Sequence, residues 1–346
     1  MTAAAARCKR FQRSPGSSGA DPAARPTLLD VARLAGVSPA TVSRALARPD
    51  VVRAATRERI TETVRALGYR PNHGARSLAG DRWDAIGVIV PDITNPFFAA
   101  LVRGASAAAA QHGKVCLLAE TGGGATAEVD VVASLAARVD GLVVAASTAP
   151  ASDLQRAAGG RAVVLVNRRA TGLAAVIIDQ RAIVTLGLRH LRDLGHRRIA
   201  VASGPSGSWS SRRRRDALAE HADLDLVVLP PGSATAGDGP TILDAVREAR
   251  ASALLAFNDV QALAVLAECR RRGIDVPGAL SVVGVDDVPM SSLVDPALTT
   301  VAAPATEAGA TAAILLVPGA NVPPRPLTLA PRLVVRDSTG PAAPPR

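Results

Sequence analysis

One group of side chains that could do chemistry lies in the run PATVSR at positions 39–44. Val42, Ala45 and Leu46 recur at helical spacing, so the other residues of the run are left on the opposite face of a helix. These outward residues are Pro39, Ala40, Thr41, Ser43 and Arg44. Small side chains can contact thymine methyl groups, and an arginine can donate two hydrogen bonds to guanine. The pattern predicts base recognition in a DNA major groove.

A second group of polar and aromatic side chains follows short apolar runs that are typical of buried strands. Ligands of open α/β sheets bind at the carboxyl ends of the strands, so these positions predict a ligand site. The group consists of Asn95, Phe97 and Phe98 after IGVIV, Ser147 after GLVVAA, Asn258 after ALLAF, Asp286 after SVVGV, and Arg212 just after the turn 204–211.

Neither group resembles a catalytic or metal-binding motif. The sequence has no Gly-Lys-Ser/Thr phosphate loop, no Gly-x-Ser-x-Gly elbow and no His-Glu-x-x-His. The glycines at 122–124 lack dinucleotide spacing and predict a loop. The three cysteines, Cys8, Cys116 and Cys269, are far apart and lack zinc or disulfide spacing. We therefore expect a binding protein with no cofactor and no metal, in a reducing cytoplasm, and no enzyme.

The first group is positioned by a predicted set of three helices. Thr27 and Asp30 are spaced as a capping box at the start of the first helix. Gly36 allows a tight turn, and Ser38 can cap the second helix, which Pro39 then opens. A third amphipathic helix is predicted over 56–67. An ordinary three-helix bundle is the alternative interpretation.

The second group is positioned by strands that alternate with helices. Predicted strands are 86–90, 114–120, 141–147, 162–168, 198–203, 225–230, 253–259 and 281–287. Predicted helices are 97–112, 127–137, 151–158, 181–194, 211–221, 239–249 and 260–272. Continuous apolar strands with helical crossovers indicate parallel sheets covered on both faces. The two successive sets predict two similar α/β lobes with a cleft between them.

Charge is concentrated at one end of the chain. The net charge is +10, of which residues 1–80 carry +9 and the rest +1. A basic end on a nearly neutral body fits contact with DNA phosphates by that end only. No apolar run is long enough for a membrane span, and residues 1–26 do not resemble a signal peptide, so we expect no membrane partner. We interpret residues 1–26 as a disordered basic tail, which either adds DNA affinity or has no role.

The motifs DVARLAGVSPATVSRAL and LGYRPNHGARSLAG closely resemble the headpiece and hinge of the lactose-repressor (LacI) family of transcription factors. The stretches IGVIVPDITNPFF, DLGHRRIAVASGP, AFNDVQALAVL and SVVGVDDVPMSSLVDPALTTV resemble the two-lobed, periplasmic-binding-protein-like body of that family. The resemblance covers about residues 27–340. It implies a tail at 1–26, a helix-turn-helix headpiece at 27–70, a hinge helix and linker at 71–83, and an effector-binding and dimerisation body at 84–340.

The resemblance also assigns roles in DNA binding. Thr27, Ser38 and the outward residues of 39–44 would contact the operator. In the hinge, Asn72 would cap a short helix, Arg76 would contact DNA, and Leu78 would wedge into the minor groove and kink the duplex. The alternative for Leu78 is a packed linker residue. Arg53 stands where the family usually has a serine that caps the third helix, so we expect that helix to fray locally.

For the body, the resemblance implies that Asn95, Phe97 and Phe98 face the cleft from the first lobe, and Arg212, Asn258 and Asp286 from the second. Charged and amide groups bind hydroxyls and aromatic rings cover a sugar face, so the set suits a polyhydroxylated ligand. One phenylalanine could instead belong to the core. Ala302 and Ala303 replace the polar residue expected there, which weakens sugar recognition from that edge. Asp179 and Asp259 are expected to be helix caps, Asp287 could be structural, and Trp209 could border the cleft.

Three crossings between lobes are implied, near 168–176, 298–304 and 317–326. A helix near 305–317 would return to the first lobe, and a strand at 329–337 to the second. The predicted protein is a homodimeric regulator, most simply a repressor, that binds a pseudo-palindromic double-stranded operator and a sugar-like effector. The alternatives are an activator or global regulator that responds to a partner protein or a phosphorylated metabolite.

Overall fold

The computed structural model describes residues 26–47, 49–69, 83–321, 323 and 325–342. The chain divides into two compact units, Met1–Asp81 and Arg82–Arg346, and each is considered by itself. The predicted hinge helix at 71–83, with Asn72, Arg76 and Leu78, lies outside the described residues apart from Trp83. The predicted tail at 1–26 also lies outside them apart from Pro26.

The first unit contains the three predicted helices. They are α1 (Leu28–Ala35), α2 (Pro39–Ala47) and α3 (Ala54–Leu67), with a 3₁₀ turn at Pro49–Val51 before α3. The helix α3 begins two residues earlier than the sequence predicted. A small core of buried apolar side chains holds the three helices together; it comprises Val31, Ala32, Ala35, Val42, Ala45, Ile60 and Tyr69.

The ends of these helices follow the capping chemistry of the sequence. The Thr27 hydroxyl accepts from the Asp30 amide, and the Asp30 carboxylate accepts from the Thr27 amide at 3.0 Å, which confirms the capping box. Gly36 ends α1 in the left-handed conformation at φ +64°, where a side chain would be strained. The Ser38 hydroxyl accepts from the Thr41 amide at 3.2 Å. Arg53 makes no capping bond, as predicted.

The second unit contains two lobes, each built on a six-stranded sheet. The first-lobe strands are β1 (Ala85–Val90), β2 (Val115–Glu120), β3 (Gly141–Ala145), β4 (Ala162–Val166), β5 (Ala174–Ile178) and β11 (Leu327–Leu329). Its helices are α4 (Pro96–Gln111), α5 (Ala125–Ala136), α6 (Ala151–Ala157) and α11 (Ala305–Ile314). All strands are parallel, in the order β11-β5-β4-β3-β1-β2.

The second lobe repeats this architecture. Its strands are β6 (Arg198–Ser203), β7 (Asp225–Pro231), β8 (Ala253–Leu255), β9 (Ser281–Val285), β10 (Thr299–Ala302) and β12 (Arg332–Val334). Its helices are α7 (Gln180–Asp193), α8 (Trp209–Leu218), α9 (Gly239–Glu248) and α10 (Asp259–Arg271), with 3₁₀ turns at Ala219–His221, Ala236–Asp238 and Pro289–Ser292. The sheet order is β12-β10-β9-β8-β6-β7, and β12 alone runs antiparallel to its neighbour.

The chain crosses between lobes three times, but only the second crossing lies where it was predicted. After β10, the chain enters the first lobe at α11, which agrees with a crossing near 298–304. The first crossing lies between β5 and α7, because AAVII at 174–178 is a strand of the first sheet and not a linker. The third lies between β11 and β12. Pro331, which lacks an amide hydrogen, separates those two strands. The strand predicted at 329–337 does return to the second lobe, but it is shorter than predicted and consists of β12 alone.

Two glycines allow α4 and α11 to pack with their backbones in contact. A Cβ built on Gly104 would lie 1.9 Å from the Thr306 carbonyl oxygen, and one built on Gly309 would lie 1.9 Å from the Leu101 carbonyl oxygen. Any side chain at either position would therefore separate the helices. This close approach fixes α11 to the first lobe. None of the described helices is long and apolar enough to span a membrane.

Candidate functional site

The second helix of the first unit presents the predicted recognition surface to solvent. Val42 and Ala45 are buried against the headpiece core, whereas Ser38, Pro39, Ala40 and Arg44 are exposed. Thr41 and Ser43 are half-buried at the same surface. Thr27, at the start of α1, is also exposed. The geometry therefore leaves the predicted base-reading side chains free to contact a partner.

Arg44 lies on the exposed face of this helix. Its Nε donates to the Ala40 carbonyl at 3.2 Å, one helical turn earlier. Its other guanidinium nitrogens make no hydrogen bond to the described residues of the structure. Those nitrogens have the fork geometry that can bind the O6 and N7 atoms of guanine. Asn72, Arg76 and Leu78, predicted to extend this surface, lie outside the described residues.

In the second unit, a cavity of about 720 Å³ lies between the two lobes. Five of the seven predicted ligand residues line it, namely Asn95, Phe97, Phe98, Asn258 and Asp286. The cavity lies at the carboxyl ends of the parallel strands, where the sequence placed it. Its volume is in the range of small-molecule sites, which span roughly 300–1,000 Å³.

Ser147 and Arg212 do not line the cavity. Ser147 is buried and its hydroxyl accepts from Arg168 Nη1 at 2.7 Å, so it is used to position an arginine. Its neighbours Ala146 and Thr148 line the cavity instead. Arg212 is exposed to solvent. The ligand roles predicted for Ser147 and Arg212 therefore gain no support from the lining of this cavity.

The first-lobe wall of the cavity is aromatic and is set by the start of α4. The Asn95 carboxamide oxygen accepts from the Phe97 amide at 3.0 Å, and this caps the helix. The Phe97 and Phe98 rings meet edge to face, with centroids 5.2 Å apart. Phe97 is buried and also belongs to the core, whereas Phe98 is half-buried. Phe98 therefore has more ring surface available to a ligand.

The arginine that lines the cavity is Arg214, two residues after the predicted one. Helical periodicity explains the difference: α8 buries Ser210, Ser211 and Ala217, and Arg214 lies on the same face. The sequence contained this signal, because Ser208 caps the helix and so fixes its phase. The run of four consecutive arginines does not by itself distinguish Arg212 from Arg214.

Three contacts hold the Arg214 guanidinium. Its Nε donates to Gln180 Oε1 at 2.7 Å, and Nη1 donates to the Phe257 carbonyl oxygen. The guanidinium carbon lies 4.6 Å from the centroid of the Phe257 ring, a cation–π distance. Burial lowers the pKa of Arg214 to about 10, and Asp286 opposes that shift. Phe257 and Gln180 line the cavity as well, and sequence reasoning missed both.

Asp286 lies at the end of β9 with φ +116°, an unusual conformation that Asp tolerates better than most residues. Its backbone amide donates to the Val301 carbonyl at 2.9 Å. Burial, and then the nearby Asp259 carboxylate, raise the pKa of Asp286 well above its ordinary value, while Arg214 opposes them. The cavity therefore holds a buried carboxyl group and a buried guanidinium, each of which favours the charged form of the other while burial opposes both charged forms.

Asn258, not Asp259, caps α10, so the predicted cap was wrong by one residue. Asn258 Oδ1 accepts from the Gln261 amide at 2.9 Å, and Nδ2 donates to the Ala234 carbonyl at 2.9 Å. The Asp259 carboxylate is fully buried behind the cavity wall and accepts three hydrogen bonds. Its donors are the Val288 amide at 2.9 Å, Ser291 Oγ at 2.7 Å and Thr300 Oγ1 at 2.6 Å.

Other sequence expectations are resolved by individual contacts. Asp179 caps α7 through its hydrogen bonds from two backbone amides, as predicted. Asp287 pairs with Arg336 Nη2 at 2.6 Å, which fits the structural alternative. Ala303 lines the cavity, at an edge where the family resemblance implied a polar side chain. Trp209 lines a different cavity. The described residues contain no cluster of His, Cys, Asp and Glu side chains that could hold a metal.

Comparison with family models matches two parts of the chain. Residues 27–72 match the description "Bacterial regulatory proteins, lacI family", and residues 188–339 match a periplasmic binding protein-like domain. The first match covers the three helices of the first unit, and the second covers most of the second lobe.

Individual proteins match over nearly the whole chain. An uncharacterised HTH-type transcriptional regulator in the aml 5′ region of Streptomyces limosus is 35% identical over 343 residues, covering 91% of this chain and 94% of that protein. A crystal structure of the Lac repressor dimer bound to operator and the anti-inducer ONPF has a TM-score of 0.81 and 28% identity, covering 92% of this chain and 100% of that one. A regulator of Enterococcus faecalis V583 with bound ribose has a TM-score of 0.69 and 27% identity, covering 75% and 100%.

Proposed function

The chain belongs to the lacI family of bacterial regulatory proteins, and we propose that it is a repressor whose cleft binds a neutral, hydroxyl-rich effector. It is a sequence-specific DNA-binding transcriptional regulator. The observation that carries the effector proposal is the cavity between the lobes, where Asp286, Arg214, Asn258 and Phe98 converge. The proposed function is therefore binding alone: DNA at the first unit and an effector in the cleft of the second.

The charge balance of the cleft favours a neutral ligand. Burial already disfavours the charged forms of both Arg214 and Asp286, so a charged ligand would add a further charge to a site that is costly for charges. The side chains donate and accept hydrogen bonds, as alternating hydroxyl groups require. The Phe98 and Phe257 rings can cover apolar C–H faces. A sugar or a related polyol satisfies all three conditions, and a ribose-bound relative supports the class.

On the DNA side, α2 would enter the major groove, with Arg44 reading a guanine and Ser38 to Ser43 completing the contacts. The family resemblance of the sequence implies that Asn72, Arg76 and Leu78 belong to a hinge that binds in the minor groove. A homodimer would place two headpieces on a pseudo-palindrome, as in the Lac repressor dimer on its operator. We place the protein in the cytoplasm, on the nucleoid DNA. Effector binding would alter operator affinity only if the two lobe arrangements bind the effector differently.

A thermal-shift screen of the full-length protein against neutral sugars, polyols and nucleosides would identify the effector. A ligand at 100 times its Kd should stabilise the body by about 2.7 kcal/mol. Arg214→Ala should abolish most of that shift, because it removes a charge-assisted hydrogen-bond donor from the cleft. Arg212→Ala, two residues away on the exposed face, is the matched control and should respond like the parent. Equal responses from both variants would reject the cleft assignment.

The DNA assignment has its own test. Arg44→Ala should weaken operator binding by about 1–3 kcal/mol per half-site and relax the preference at one base pair. Arg65→Ala changes an exposed arginine on α3 and should leave that preference intact. Binding can be measured by fluorescence anisotropy on an operator and its single-base variants. An Arg44→Ala loss that is uniform across sequences would indicate a phosphate contact instead.

A further inference from the structure

A second cavity, of about 450 Å³, opens on the other side of α8 from the ligand cleft. Its walls come from the loop after β4 in the first lobe, the start of α8 in the second, and the segment before β11. The first turn of α8 separates the two cavities: Ser208 and Ser210 line the cleft, whereas Trp209 and Arg213 line the second cavity. The second cavity therefore bridges both lobes without sharing side chains with the cleft.

Three arginines line this cavity, and they come from three separate segments. Arg169 lies in the first lobe, Arg213 on α8, and Arg325 in the segment that leads to β11. No carboxylate lies among the described residues that line it. Within the described part of the chain, Arg169 and Arg325 make no ion pair, and Arg213 has only an exposed pair with Asp216 at 3.3 Å.

The neighbouring residues add to the positive charge. Arg168 and Arg212 precede Arg169 and Arg213 in the sequence, and they approach closely enough to interact. Burial, and then repulsion from Arg212, lower the pKa of Arg168, with Glu128 opposing the shift. Like charges that meet from two lobes destabilise the arrangement unless an anion compensates them. The Trp209 ring, 5.6 Å from the Arg213 guanidinium carbon, orients that arginine.

We propose that this cavity is a second small-molecule site, which binds a phosphate-bearing polyanion through Arg169, Arg213 and Arg325. Guanidinium groups donate paired hydrogen bonds that match phosphate oxygens, and three of them suit a ligand with two or more negative charges. The bound anion would connect the first lobe to α8 and stabilise one arrangement of the lobes. Because the same helical turn lines the cleft, occupancy of this site would also alter effector affinity.

Trp209 provides a direct measurement in the full-length protein. In a Trp83→Phe background, which leaves Trp209 as the single tryptophan, pyrophosphate should change the fluorescence saturably. Potassium chloride at matched ionic strength should not reproduce the change, because it supplies screening without a polyvalent ligand. Arg169→Ala and Arg325→Ala should each weaken pyrophosphate binding about tenfold, the effect of losing one charge-assisted contact.

Two control variants make the result decisive. Arg189→Ala removes an exposed arginine from α7, away from the cavity, and should bind pyrophosphate like the parent. Phe98→Ala alters the cleft and should also leave pyrophosphate binding unchanged. The proposal is overturned if pyrophosphate gives no saturable signal, if Arg189→Ala weakens it as much as the cavity variants, or if Phe98→Ala abolishes it, since the anion would then occupy the cleft.

Discussion

The two lobes share a sheet architecture but present different chemistry to the cleft between them. The first lobe contributes the Asn95 cap and the rings of Phe97 and Phe98. The second contributes Arg214, Asn258 and Asp286, each held by hydrogen bonds or by charge. A similar fold therefore provides an apolar wall on one side and a polar wall on the other.

This difference indicates a division of roles between the walls. In the second lobe, Arg214 is held by a hydrogen bond to Gln180 and Asn258 by one to the Ala234 carbonyl, so the protein itself fixes the direction of these polar groups. The aromatic wall lacks directional bonds and can cover ligands of various shapes. We expect the second lobe to fix ligand orientation and the first to add contact area. Three substitutions test this expectation, in order of decreasing effect.

The largest effect should come from Asp259, which supports the polar wall from behind. Burial raises its pKa from 3.8 to about 6, so the folded protein holds this proton more tightly than the unfolded chain does. The stability that the protonated form contributes is present below pH 4 and is lost as pH rises through 6. The loss should reach about 3 kcal/mol.

Asp259→Asn removes this titration. The unfolding free energy of the parent minus that of the variant should therefore fall between pH 4 and pH 7. Only the parent loses stability over this range, because only the parent ionises Asp259. Urea denaturation at several pH values, followed by circular dichroism, measures the difference. The exposed Asp130→Asn provides a carboxylate control on the first lobe. If the parent's unfolding free energy minus that of the variant stayed constant or rose with pH, a raised pKa at Asp259 would be contradicted.

Asp286→Asn should produce the second largest effect, in ligand binding. Asparagine keeps the size and shape of aspartate, so the fold should be kept while Arg214 loses the carboxyl group that favours its charged form. Effector affinity should fall by about 2–3 kcal/mol, and operator binding without effector should persist. Titration calorimetry and an operator assay on the same preparation separate the two. Unchanged effector affinity would remove Asp286 from the site.

Phe98→Ala should have the smallest effect if the first-lobe wall only covers the ligand. We expect a loss of about 1 kcal/mol in effector affinity, with little change in the ranking of sugar stereoisomers. The corresponding Arg214→Ala variant should change that ranking. A Phe98→Ala variant that lost stereoselectivity would show that both walls determine orientation, and the comparison between lobes would fail.

The sequence predicted the elements better than the side-chain directions. Apolar runs such as IGVIV and capping residues such as Thr27 act locally, so their elements could be placed within a few residues. The strand AAVII follows a short loop and was mistaken for a linker, because its pairing with β4 depends on residues far along the chain. Phe257 was missed because its position depends on packing across the lobe: a Cβ on Gly204 would lie 2.4 Å from its ring.

The arginine run shows the same limit within the site. Four consecutive arginines at 212–215 have identical chemistry, and only the phase of α8 selects Arg214 for the cleft. The helix cap was likewise predicted at Asp259 instead of its neighbour Asn258, since both residue types are good caps. The sequence identifies which residue types are available, while backbone geometry determines which of two neighbours is used.

The three crossings have a consequence for protein engineering. Each lobe is assembled from separated stretches of sequence, since α11 and β11 return to the first lobe after most of the second has been built. Exchanging one lobe with that of a homologue would require several junctions, two of which lie at the cleft, near Ile178 and Ala303. The first unit is a single continuous stretch that ends at Asp81. A chimera that joins this headpiece to another family body needs only one junction, so operator choice should be transferable in one step, whereas effector choice should be altered by point substitutions in the cleft.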